Sequence, residues 1–499
     1  MLFNSYAFLF AFLPVALAGY VLLGRRSVTL AAGWLTLASL FFYGWWDARY
    51  LPLLLGSILF NYATGRAIAA RAGRPAAGRL LALGISADLA LLVVYKYSAL
   101  FIDSANRLAG LGLPVPELIL PLGISFFTFT QIAFLVDAWA GKVHETRLVH
   151  YALFVTYFPH LIAGPVLHHG EMMSQFEQAR NYRLRLNNVL IGSSIFVFGL
   201  AKKVLLADNL APLAGAVFEG DAHPGLLTAW GGVLAYTFQL YFDFSGYSDM
   251  AIGLSRLFGV KLPLNFDSPY KAATISDFWR RWHMTLSRFL RDYLYIPLGG
   301  NKHGPVRRYA NLMTTMLLGG LWHGAGWNFL LWGGLHGACL CVQHAWSARF
   351  RLPQPLAVAL TFVAVVVAWV FFRATTLHGA LDLLAGMAGL HGVALPEAVG
   401  RQIGGFAPML TAAGIRFHPG GGEQFVTTWG WVTVAALIAF LCPNTQQIHA
   451  RLRPAIERVA PSGGLRFRLS RRWAVGLGLA STVCVLSLSR PSEFLYFQF

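Results

Sequence analysis

The sequence contains a long succession of apolar runs, most of them near the 20 or so residues that a helix needs to cross a bilayer. The runs lie near residues 6–23, 28–46, 51–64, 80–102, 116–136, 148–167, 189–216, 225–255, 309–343, 355–372, 425–442 and 474–490. Apolar residues make up 56% of the 499 residues and charged residues 12%, whereas soluble domains carry about 25% charged residues. So few charges cannot cover a water-soluble globule of this size. The chain is therefore predicted to be an all-α polytopic membrane protein.

Basic residues between the runs predict the orientation of the chain. The net charge is +18, and the basic residues fall in short loops, as membrane topology requires, rather than in a nucleic-acid-binding face. Clusters follow the first and third runs and separate the last two, at Arg25, Arg26, Arg66, Arg71, Arg74, Arg79, Arg451, Arg453, Arg458, Arg466, Arg468, Arg471 and Arg472. Placing all of these clusters in the cytoplasm puts both termini on the opposite side of the membrane.

Two runs do not fit a simple crossing. If 148–167 crossed completely, the basic residues that follow it would lie outside. This run is therefore predicted to re-enter or to lie in the interface, with a break near Pro159 and Gly164-Pro165. The run 309–343 must return to its starting side for Arg349 and Arg351 to be cytoplasmic, which predicts a hairpin broken at the glycines of WHGAGW. About 10–12 full spans result. Irregular backbone at membrane depth is tolerated only beside protein or a water-filled cavity, so a broken element points to a site.

The stretch 256–308 is the longest cytoplasmic segment and is strongly basic. It holds ten Lys and Arg residues against three Asp, a local balance of +7. Ser276 or Asp277 is predicted to begin a helix that continues to Tyr293. Large apolar side chains recur in it at helical spacing: Phe278, Trp282, Leu286, Phe289 and Tyr293. We predict an amphipathic interfacial helix over 276–293, with aromatic anchors on one face.

Two of the fifteen histidines stand out by their context. His323 lies inside the predicted broken element, where an ionisable residue is costly to bury and is a functional candidate. His283 lies beside arginines that suit the phosphates of an anionic substrate. The alternative for either residue is a packed, hydrogen-bonded histidine. His336 is interpreted as structural, because on one unbroken helix it would not share a face with His323.

Other polar residues in the apolar runs are given structural roles. Asp243 and Asp249 suit a proton relay, a partner cation or an ion site, and structural hydrogen bonding is favoured. The pair His168-His169 has no carboxylate or cysteine at ligand spacing, so no metal site is predicted. The residues alone therefore support an intramembrane histidine site facing a basic cytoplasmic surface.

Several segments carry a resemblance to a known family. They are LPLGISFFTFTQIAFLVDAWAGKV (120–143), YFPHLIAGPV (157–166), FGLAKKVLLADNLA (198–211), the stretch 236–270, SDFWRRWHMTLSRFLRDYLYIPLGGN (276–301), LLGGLWHGAGWNFLLWGGLHG (317–337) and EFLYFQF (493–499). The chain resembles the membrane-bound O-acyltransferase (MBOAT) family, in particular its bacterial branch that O-acetylates polysaccharides such as alginate. The two long segments that contain His283 and His323 are the most specific.

The resemblance implies a fold, a reaction and residue roles. The family fold is a ring of tilted helices around a thinned centre, with a tunnel that joins the two sides at the catalytic histidine. His323 matches that catalytic histidine, as general base or acetyl acceptor, and His283 matches the second active-site histidine. The implied donor is cytoplasmic acetyl-CoA, with no bound cofactor. The candidate donor-binding residues are Arg281, Arg288, Arg291, Trp322 and Asn328. Trp322, Asn328 and His283 are also candidate hydrogen-bond donors to the oxyanion.

The resemblance also implies partners and a location. In this branch the acetyl group passes outward to a periplasmic partner protein, which acetylates the exported polysaccharide. The protein is expected in the bacterial inner membrane with both termini periplasmic, and EFLYFQF is expected either to dock the partner or to pack on the bilayer surface. Residues 1–372 are expected to form the MBOAT core. Residues 373–499 are expected to form an extracytoplasmic loop and a C-terminal two-helix extension.

Alternative functions remain open at this point. Within the family, acylation of the teichoic-acid D-alanylation type uses an acyl carrier protein, whose acidic surface would also suit the basic stretch. Lipid or sterol acylation is a weaker alternative. Outside the family, a transporter predicts paired broken helices in two halves of the chain, whereas the sequence shows a single such element.

Overall fold

The computed structural model describes residues 1–143, 147–162, 164–220, 223–347, 352–489, 494 and 495. These residues are predominantly α-helical, and the two strands among them are each three residues long. The predicted class, an all-α polytopic membrane protein, is confirmed.

The first half of the described chain is a series of helices joined mostly by short loops. Its α-helices are α1 (Leu13–Gly24), α2 (Val28–Gly44), α3 (Leu51–Ala69), α4 (Pro75–Leu92), α5 (Ser98–Ala109), α6 (Ile124–Trp139), α7 (Leu148–Thr156), α8 (Phe158–Leu161), α9 (His169–Phe176), α10 (Leu186–Ala201) and α11 (Asp208–Phe218). Wider π-helical turns occur in the same helical runs, at Phe8–Phe12, Val93–Tyr97 and Lys202–Ala207.

The second half begins with the longest α-helix without a π-helical turn in the part of the chain that the structure describes. Its α-helices are α12 (Leu226–Leu257), α13 (Ile275–Trp279), α14 (Met284–Leu290), α15 (Gly304–His323), α16 (Trp327–Ser347), α17 (Gln354–Arg373), α18 (Leu377–Met387), α19 (Glu397–Ile403), α20 (Ala407–Ala412), α21 (Gly422–Leu441), α22 (Thr445–His449) and α23 (Arg471–Leu486). Strands β1 (Ala394–Pro396) and β2 (Arg416–His418) pair in parallel, with Leu395 opposite Phe417.

The helices differ in whether they can cross a membrane by themselves. Within the described residues, those long and apolar enough are Pro75–Ala109, Leu186–Phe218, Gln354–Arg373 and Gly422–Leu441. Shorter apolar helices lie at Phe8–Gly24, Val28–Gly44, Ile124–Trp139 and Leu377–Met387. The span predicted over 116–136 begins later in the structure. Its helix starts at Ile124, directly after Gly123, whose φ is +69°. The total of 10–12 full spans stays a prediction.

Helix α12 forms the centre of the protein and is buried over most of its length. Its carboxylates have cationic partners on the π-helical turn Lys202–Ala207. Lys203 Nζ lies 2.6 Å from Asp243, and it also lies 2.9 Å from Asp208 at the start of α11. Lys202 Nζ lies 2.6 Å from Asp249. Buried charges are tolerated when they are paired in this way, so the predicted structural role of both α12 carboxylates agrees with the structure.

Glycines allow α10 and α12 to approach each other closely. A Cβ atom on Gly199 would lie 2.5 Å from the carbonyl oxygen of Gly246, and one on Gly253 would lie 2.6 Å from that of Gly192. Small residues at a helix interface permit backbone contact of this kind within membranes. The tight pairing holds the polar centre of α12 against its partner helix.

Gly246→Ala is expected to destabilise the protein, because the added Cβ would lie 2.8 Å from the carbonyl oxygen of Gly199. Overpacking of this kind costs about 1–3 kcal/mol. Thermal unfolding in detergent micelles measures the effect. The control is Gly56→Ala on α3, where no atom lies within 4 Å of the added carbon. Equal melting temperatures for the two variants would contradict the prediction.

The predicted hairpin at 309–343 is confirmed. Helices α15 and α16 pack against each other and are separated by Gly324, Ala325 and Gly326. The helices touch through glycines, since a Cβ on Gly320 would lie 2.2 Å from the carbonyl oxygen of Phe329. The break leaves His323 as the last residue of α15.

The run 148–167 is broken, as predicted. It contains the short helices α7 and α8, which are separated at Tyr157, where ψ is 104°. Neither helix is long enough to cross a bilayer.

The predicted continuous helix over 276–293 is wrong. Helix α13 begins after Thr274, whose side chain accepts a hydrogen bond from the backbone N–H of Asp277, and it ends at Trp279. The chain turns before α14 because it pairs with the segment 265–267 instead: the N–H of Asp267 donates to the carbonyl of Arg281, and that of Met284 to the carbonyl of Asn265. The predicted aromatic anchors are also wrong in part, since Phe278, Trp282, Leu286 and Phe289 are buried inside the protein.

Only Phe494 and Leu495 of the ending EFLYFQF belong to the described residues. Both are buried, and the Phe494 ring centroid lies 4.6 Å from that of Tyr247 on α12. The backbone N–H of Leu495 donates to Asp243 at 3.0 Å. These two side chains therefore pack in the protein interior, which corrects the expectation that they meet the bilayer surface or a docked partner. The rest of the ending lies outside the described residues.

Candidate active site

His323 ends α15 inside the protein. Its side chain is buried and surrounded by aromatic rings, with centroids 5.0 Å away for both Trp322 and Trp332 and 5.3 Å away for Phe372. The position follows from the helix break, because Gly324 leaves the helix in an extended conformation and α16 folds back over the imidazole.

His283 lies next to His323, at 6.2 Å between ring centroids. It adopts a left-handed conformation with φ +42° immediately before α14. A non-glycine residue in that region is uncommon and is often found at functional sites. The helix break that the sequence did not predict is what turns His283 inward, and the structure therefore brings the two predicted histidines together.

Hydrogen bonds fix the tautomer of His283. The oxygen Oδ1 of Asn265 lies 3.0 Å from His283 Nδ1, and it also accepts from the hydroxyl and the backbone N–H of Thr285. A backbone N–H can only donate, so this atom is an oxygen and Nδ1 of His283 carries the proton. In the neutral ring, Nε2 then has the lone pair. His283 consequently suits accepting a proton better than the oxyanion-donor role considered from the sequence.

Lys96 is a site residue that sequence reasoning missed. Its buried ammonium donates to the carbonyls of Trp322 at 2.6 Å and His323 at 3.2 Å, and to the hydroxyl of Ser125 at 3.2 Å. The last carbonyls of a helix have no partner within the helix, and a cation at that end is favoured by the helix dipole. A lysine inside the apolar run 80–102 was the signal that could have identified it.

Tyr97, the residue after Lys96, also binds the end of α15, and we call these two residues the clamp. Tyr97 donates its hydroxyl to the carbonyl of Leu321 at 2.8 Å. Both residues lie on the π-helical turn Val93–Tyr97, whose widened backbone aims consecutive side chains at the end of α15. Turns of this type are frequent at functional sites. The clamp fixes the backbone that carries His323.

A cavity of about 320 Å³ reaches His323 from one side. It is lined by His323, Trp322 and Lys96, and further by Met1, Trp46 and the segment 120–126. By the charge rule, the N-terminus and the loops at Trp46 and 120–123 all lie on the side opposite the basic clusters. The cavity therefore opens away from the cytoplasm in the predicted orientation.

A second cavity of about 410 Å³ lies on the basic side. We call it the basic groove; it is lined by Leu264, Trp279, Arg280, Met284, Thr285, Ser287, Arg288, Arg291 and Glu457. Thr285 connects this groove to the histidines, because its hydroxyl donates to Asn265, the partner of His283. The two histidines thus lie between two cavities that the charge rule assigns to opposite sides.

The predicted donor-binding arginines differ in their surroundings. Arg288 and Arg291 line the basic groove, where Arg288 forms two hydrogen bonds to Glu171 and Arg291 pairs with Asp292. Arg281 points elsewhere: its Nε donates to Asp277 at 3.0 Å, and it is not a lining residue. Arg280 is exposed and lines the groove instead. Because the chain turns after Trp279, Arg280 rather than Arg281 lines the groove. The prediction of a continuous helix did not anticipate this.

Trp322 and Asn328 already have hydrogen-bond acceptors. The indole N–H of Trp322 lies 3.4 Å from the carbonyl of Ser125, and the amide of Asn328 donates to the carbonyl of Ala374 at 2.7 Å. Asn328 therefore ties α16 to the end of α17. The structure supports Trp322 as a wall of the site and gives Asn328 a structural role.

His336 is buried in a cage of Phe278, Trp279, Trp332 and Trp369. Neither ring nitrogen has a hydrogen-bond partner among the described residues. Trp332 contacts both His323 and His336, with ring centroids 5.0 Å and 4.9 Å away. His336 accordingly supports the wall of the site, in line with the structural interpretation.

Known proteins show clear similarity to this chain. The sequence profile of the MBOAT, membrane-bound O-acyltransferase family matches residues 115–377. A peptidoglycan O-acetyltransferase of Helicobacter pylori is 46% identical over 79% of this chain and 81% of its own. A probable alginate O-acetylase AlgI of Pseudomonas aeruginosa is 40% identical over 100% of both chains. A teichoic acid D-alanyltransferase of Streptococcus thermophilus is 31% identical over 46% of this chain and 58% of its own.

The family profile covers the histidine-bearing hairpin, the turn with His283 and the clamp target at the end of α15. The relatives named above are all acyl-transferring enzymes, so the transporter alternative is wrong. The chain belongs to the membrane-bound O-acyltransferase family and is a multi-pass membrane O-acyltransferase.

Proposed function

We propose that the chain moves acetyl groups from cytoplasmic acetyl-CoA across the inner membrane for the O-acetylation of an exported polysaccharide, alginate-like or peptidoglycan-like. The observation that carries the proposal is the pair of buried histidines between the basic groove and a separate cavity. The groove suits the phosphates of a coenzyme A donor, since arginines form charge-assisted hydrogen bonds with phosphate. Relatives named for alginate and peptidoglycan acetylation support the acceptor class.

His323 acts as the general base in this proposal. It takes the proton of an acceptor hydroxyl that enters through the 320 Å³ cavity. The hydroxyl oxygen then bonds to the thioester carbonyl, the carbon–sulfur bond breaks, and the proton passes from His323 to the departing thiolate. General-base catalysis of this type contributes about 10²–10⁴-fold. If His323 takes the acetyl group itself, a ring nitrogen bonds to the acetyl carbon as the carbon–sulfur bond breaks. In a second step the acceptor oxygen bonds to that carbon, the carbon–nitrogen bond breaks, and the hydroxyl proton passes to the thiolate.

His283 has a different task from His323. Because its Nδ1–H donates to Asn265, its Nε2 is able to accept a hydrogen bond from a substrate N–H or O–H beside His323. We assign it the orientation of the donor or of the incoming hydroxyl. Thr285, which lines the groove and shares Asn265, couples occupancy of the groove to the position of this ring.

The acceptor side of the reaction needs a partner in this proposal. The acetyl group leaves through the outward cavity to a periplasmic protein that acetylates the polysaccharide. The inner-membrane location, the periplasmic termini and the division into a core of 1–372 and an extension of 373–499 belong to the same proposal. They rest on the loop charges and on a family match that ends at residue 377.

Turnover of labelled acetyl-CoA by the full chain in lipid nanodiscs tests the donor. We expect saturable binding and slow release of free coenzyme A, accelerated by an acceptor hydroxyl on the periplasmic side. Binding without any release would point to an obligatory partner. If acetyl-CoA does not bind and an acylated carrier protein does, the donor is of the D-alanylation type, as in the relative from Streptococcus thermophilus.

The double variant Arg280→Gln/Arg291→Gln is expected to raise the KM for acetyl-CoA at least tenfold with kcat nearly unchanged. Each charge-assisted hydrogen bond lost contributes about 1.5 kcal/mol or more, and both residues line the groove. Steady-state kinetics across donor concentration measure the change. Arg281→Gln is the matched control, because that side chain is bound to Asp277 outside the groove. A control with the same loss in affinity would contradict the assignment.

A further inference from the structure

Two histidines and one aspartate meet outside the candidate active site. His223 lies in the loop between α11 and α12, Asp382 lies on α18, and His391 lies in the loop after α18. One ligand atom of each residue lies within 4.8 Å of the other two. In the predicted orientation all three segments face the extracytoplasmic side.

The distances approach those of a metal centre. His223 Nδ1 is 2.6 Å from Asp382 Oδ1, and His391 Nε2 is 3.6 Å from the same oxygen. Zinc takes bonds of about 2.0–2.2 Å to nitrogen and oxygen in tetrahedral geometry, so neighbouring ligand atoms lie about 3.3–3.5 Å apart. The imidazole rings are nearly perpendicular, at 79° with centroids 5.1 Å apart. The 2.6 Å separation between His223 and Asp382 is shorter than that spacing, so metal binding would require the exposed His223 ring to move away from the carboxylate.

Surrounding hydrogen bonds orient two of the three groups. His391 Nδ1 lies 3.2 Å from the carbonyl of Pro224. A carbonyl only accepts, so Nδ1 is protonated and the lone pair lies on Nε2, the nitrogen that faces Asp382. The second carboxylate oxygen of Asp382 accepts the backbone N–H of His223 at 2.9 Å.

The backbone of His223 is held in an unusual conformation. Its φ is +70°, in the left-handed region that non-glycine residues rarely adopt. The conformation directs both the N–H and the ring of His223 at Asp382. Strain of this kind persists where surrounding contacts fix it, and it is common at ligand sites.

We propose that His223, Asp382 and His391 bind a transition-metal dication, with zinc as the best match and water completing the coordination. Two nitrogens and one carboxylate oxygen favour zinc over calcium or magnesium, which take oxygen ligands. The Nδ1 proton of His223 passes through solvent to its other ring nitrogen, since the side chain is 67% exposed. The ligand set then consists of two neutral imidazoles and one carboxylate.

The metal would join segments that are far apart in sequence. It would tie the loop between α11 and α12 to α18. The same loop begins with Glu219 and Gly220, which line a cavity together with Arg373. Glu219 and Arg373 already form an ion pair there. The ion would thus fix the extracytoplasmic rim of the protein, and it takes no part in the proposed acetyl transfer.

Zinc binding by the full chain tests the site. The protein in nanodiscs is stripped with a chelator and titrated with Zn²⁺, and bound metal is measured by plasma mass spectrometry. Co²⁺ then reports the coordination through its visible absorption. We expect one equivalent in the wild type, with at least tenfold weaker binding in Asp382→Asn and His391→Gln.

The control is His378→Gln, which removes an exposed histidine on the same helix and should bind like the wild type. His223→Gln serves if a variant at the less exposed positions fails to fold, since His223 is the most exposed of the three ligands. Absence of stoichiometric binding in the wild type, or unchanged affinity in His223→Gln and His391→Gln, would overturn the proposal. Acetyl-CoA binding is followed in parallel, so that failure of the metal site and failure of the proposed function are distinguished.

Discussion

His323→Ala in the full chain is expected to lower acetyl turnover by about 10²–10⁴-fold, the range for loss of a general base. The imidazole lies between the outward cavity and His283, and no other titratable group among the described residues lines that cavity except Lys96 and the N-terminus. Release of coenzyme A from labelled acetyl-CoA in lipid measures the effect.

His336→Ala is the matched control for that experiment. It removes an equally buried imidazole from the same helical hairpin and leaves a cavity of the same size, but Trp332 separates it from His323. We expect turnover within a few-fold of the wild type. Acetyl-CoA binding by both variants shows that they are folded. If His323→Ala retains turnover, or if the two variants lose it equally, His323 is not the base.

Lys96→Met is expected to lower kcat at least tenfold and to leave the KM for acetyl-CoA nearly unchanged. The substitution keeps the length of the side chain and removes the donor to the carbonyls of Trp322 and His323. Leaving buried acceptors without a partner costs about 1–3 kcal/mol. The end of α15 then relaxes, and the imidazole loses its position relative to His283. The basic groove is formed by other elements, so donor affinity is retained.

Two further variants separate positioning from general destabilisation. Lys96→Arg keeps a cation and donors, and it should recover part of kcat. Tyr97→Phe removes only the hydrogen bond to Leu321, one residue further from His323, and its effect should be smaller. A fall in kcat that is equal in Lys96→Met and Tyr97→Phe, or an accompanying rise in KM, would show that the clamp has only a structural role.

The membrane class and the hairpin were predictable because they depend on local composition. Long apolar runs with few charges indicate a multi-pass membrane protein, and Gly324 with Gly326 indicates the break after His323. The turn at His283 was not predictable from local pattern. The aromatic spacing over 278–293 is compatible with one helix, and the competing hydrogen bonds come from Asn265 and Asp267, which belong to another segment of the chain.

The arginines illustrate the same limit. Arg280 and Arg281 are adjacent residues of the same type, so the sequence does not distinguish them. The turn after Trp279 places Arg280 in the groove and Arg281 beside Asp277. Phe494 and Leu495 were expected at the surface because they follow the final span. Instead, the Asp243 carboxylate accepts the backbone N–H of Leu495, and the ring of Tyr247 stacks on Phe494, so both residues lie in the interior.

The class of the protein, the hairpin that carries His323 and the strongly basic stretch 256–308 could be identified from the residues alone. These follow from hydropathy, charge and glycine placement, which act within a few turns of the chain. The tertiary structure alone decided the meeting of His283 with His323, the clamp by Lys96 and the grouping of His223 with Asp382 and His391. His283 and His323 are 40 positions apart, His223 and Asp382 are 159 apart, and Lys96 is more than 220 positions from the carbonyls it binds. Such contacts depend on how helices pack rather than on any local pattern.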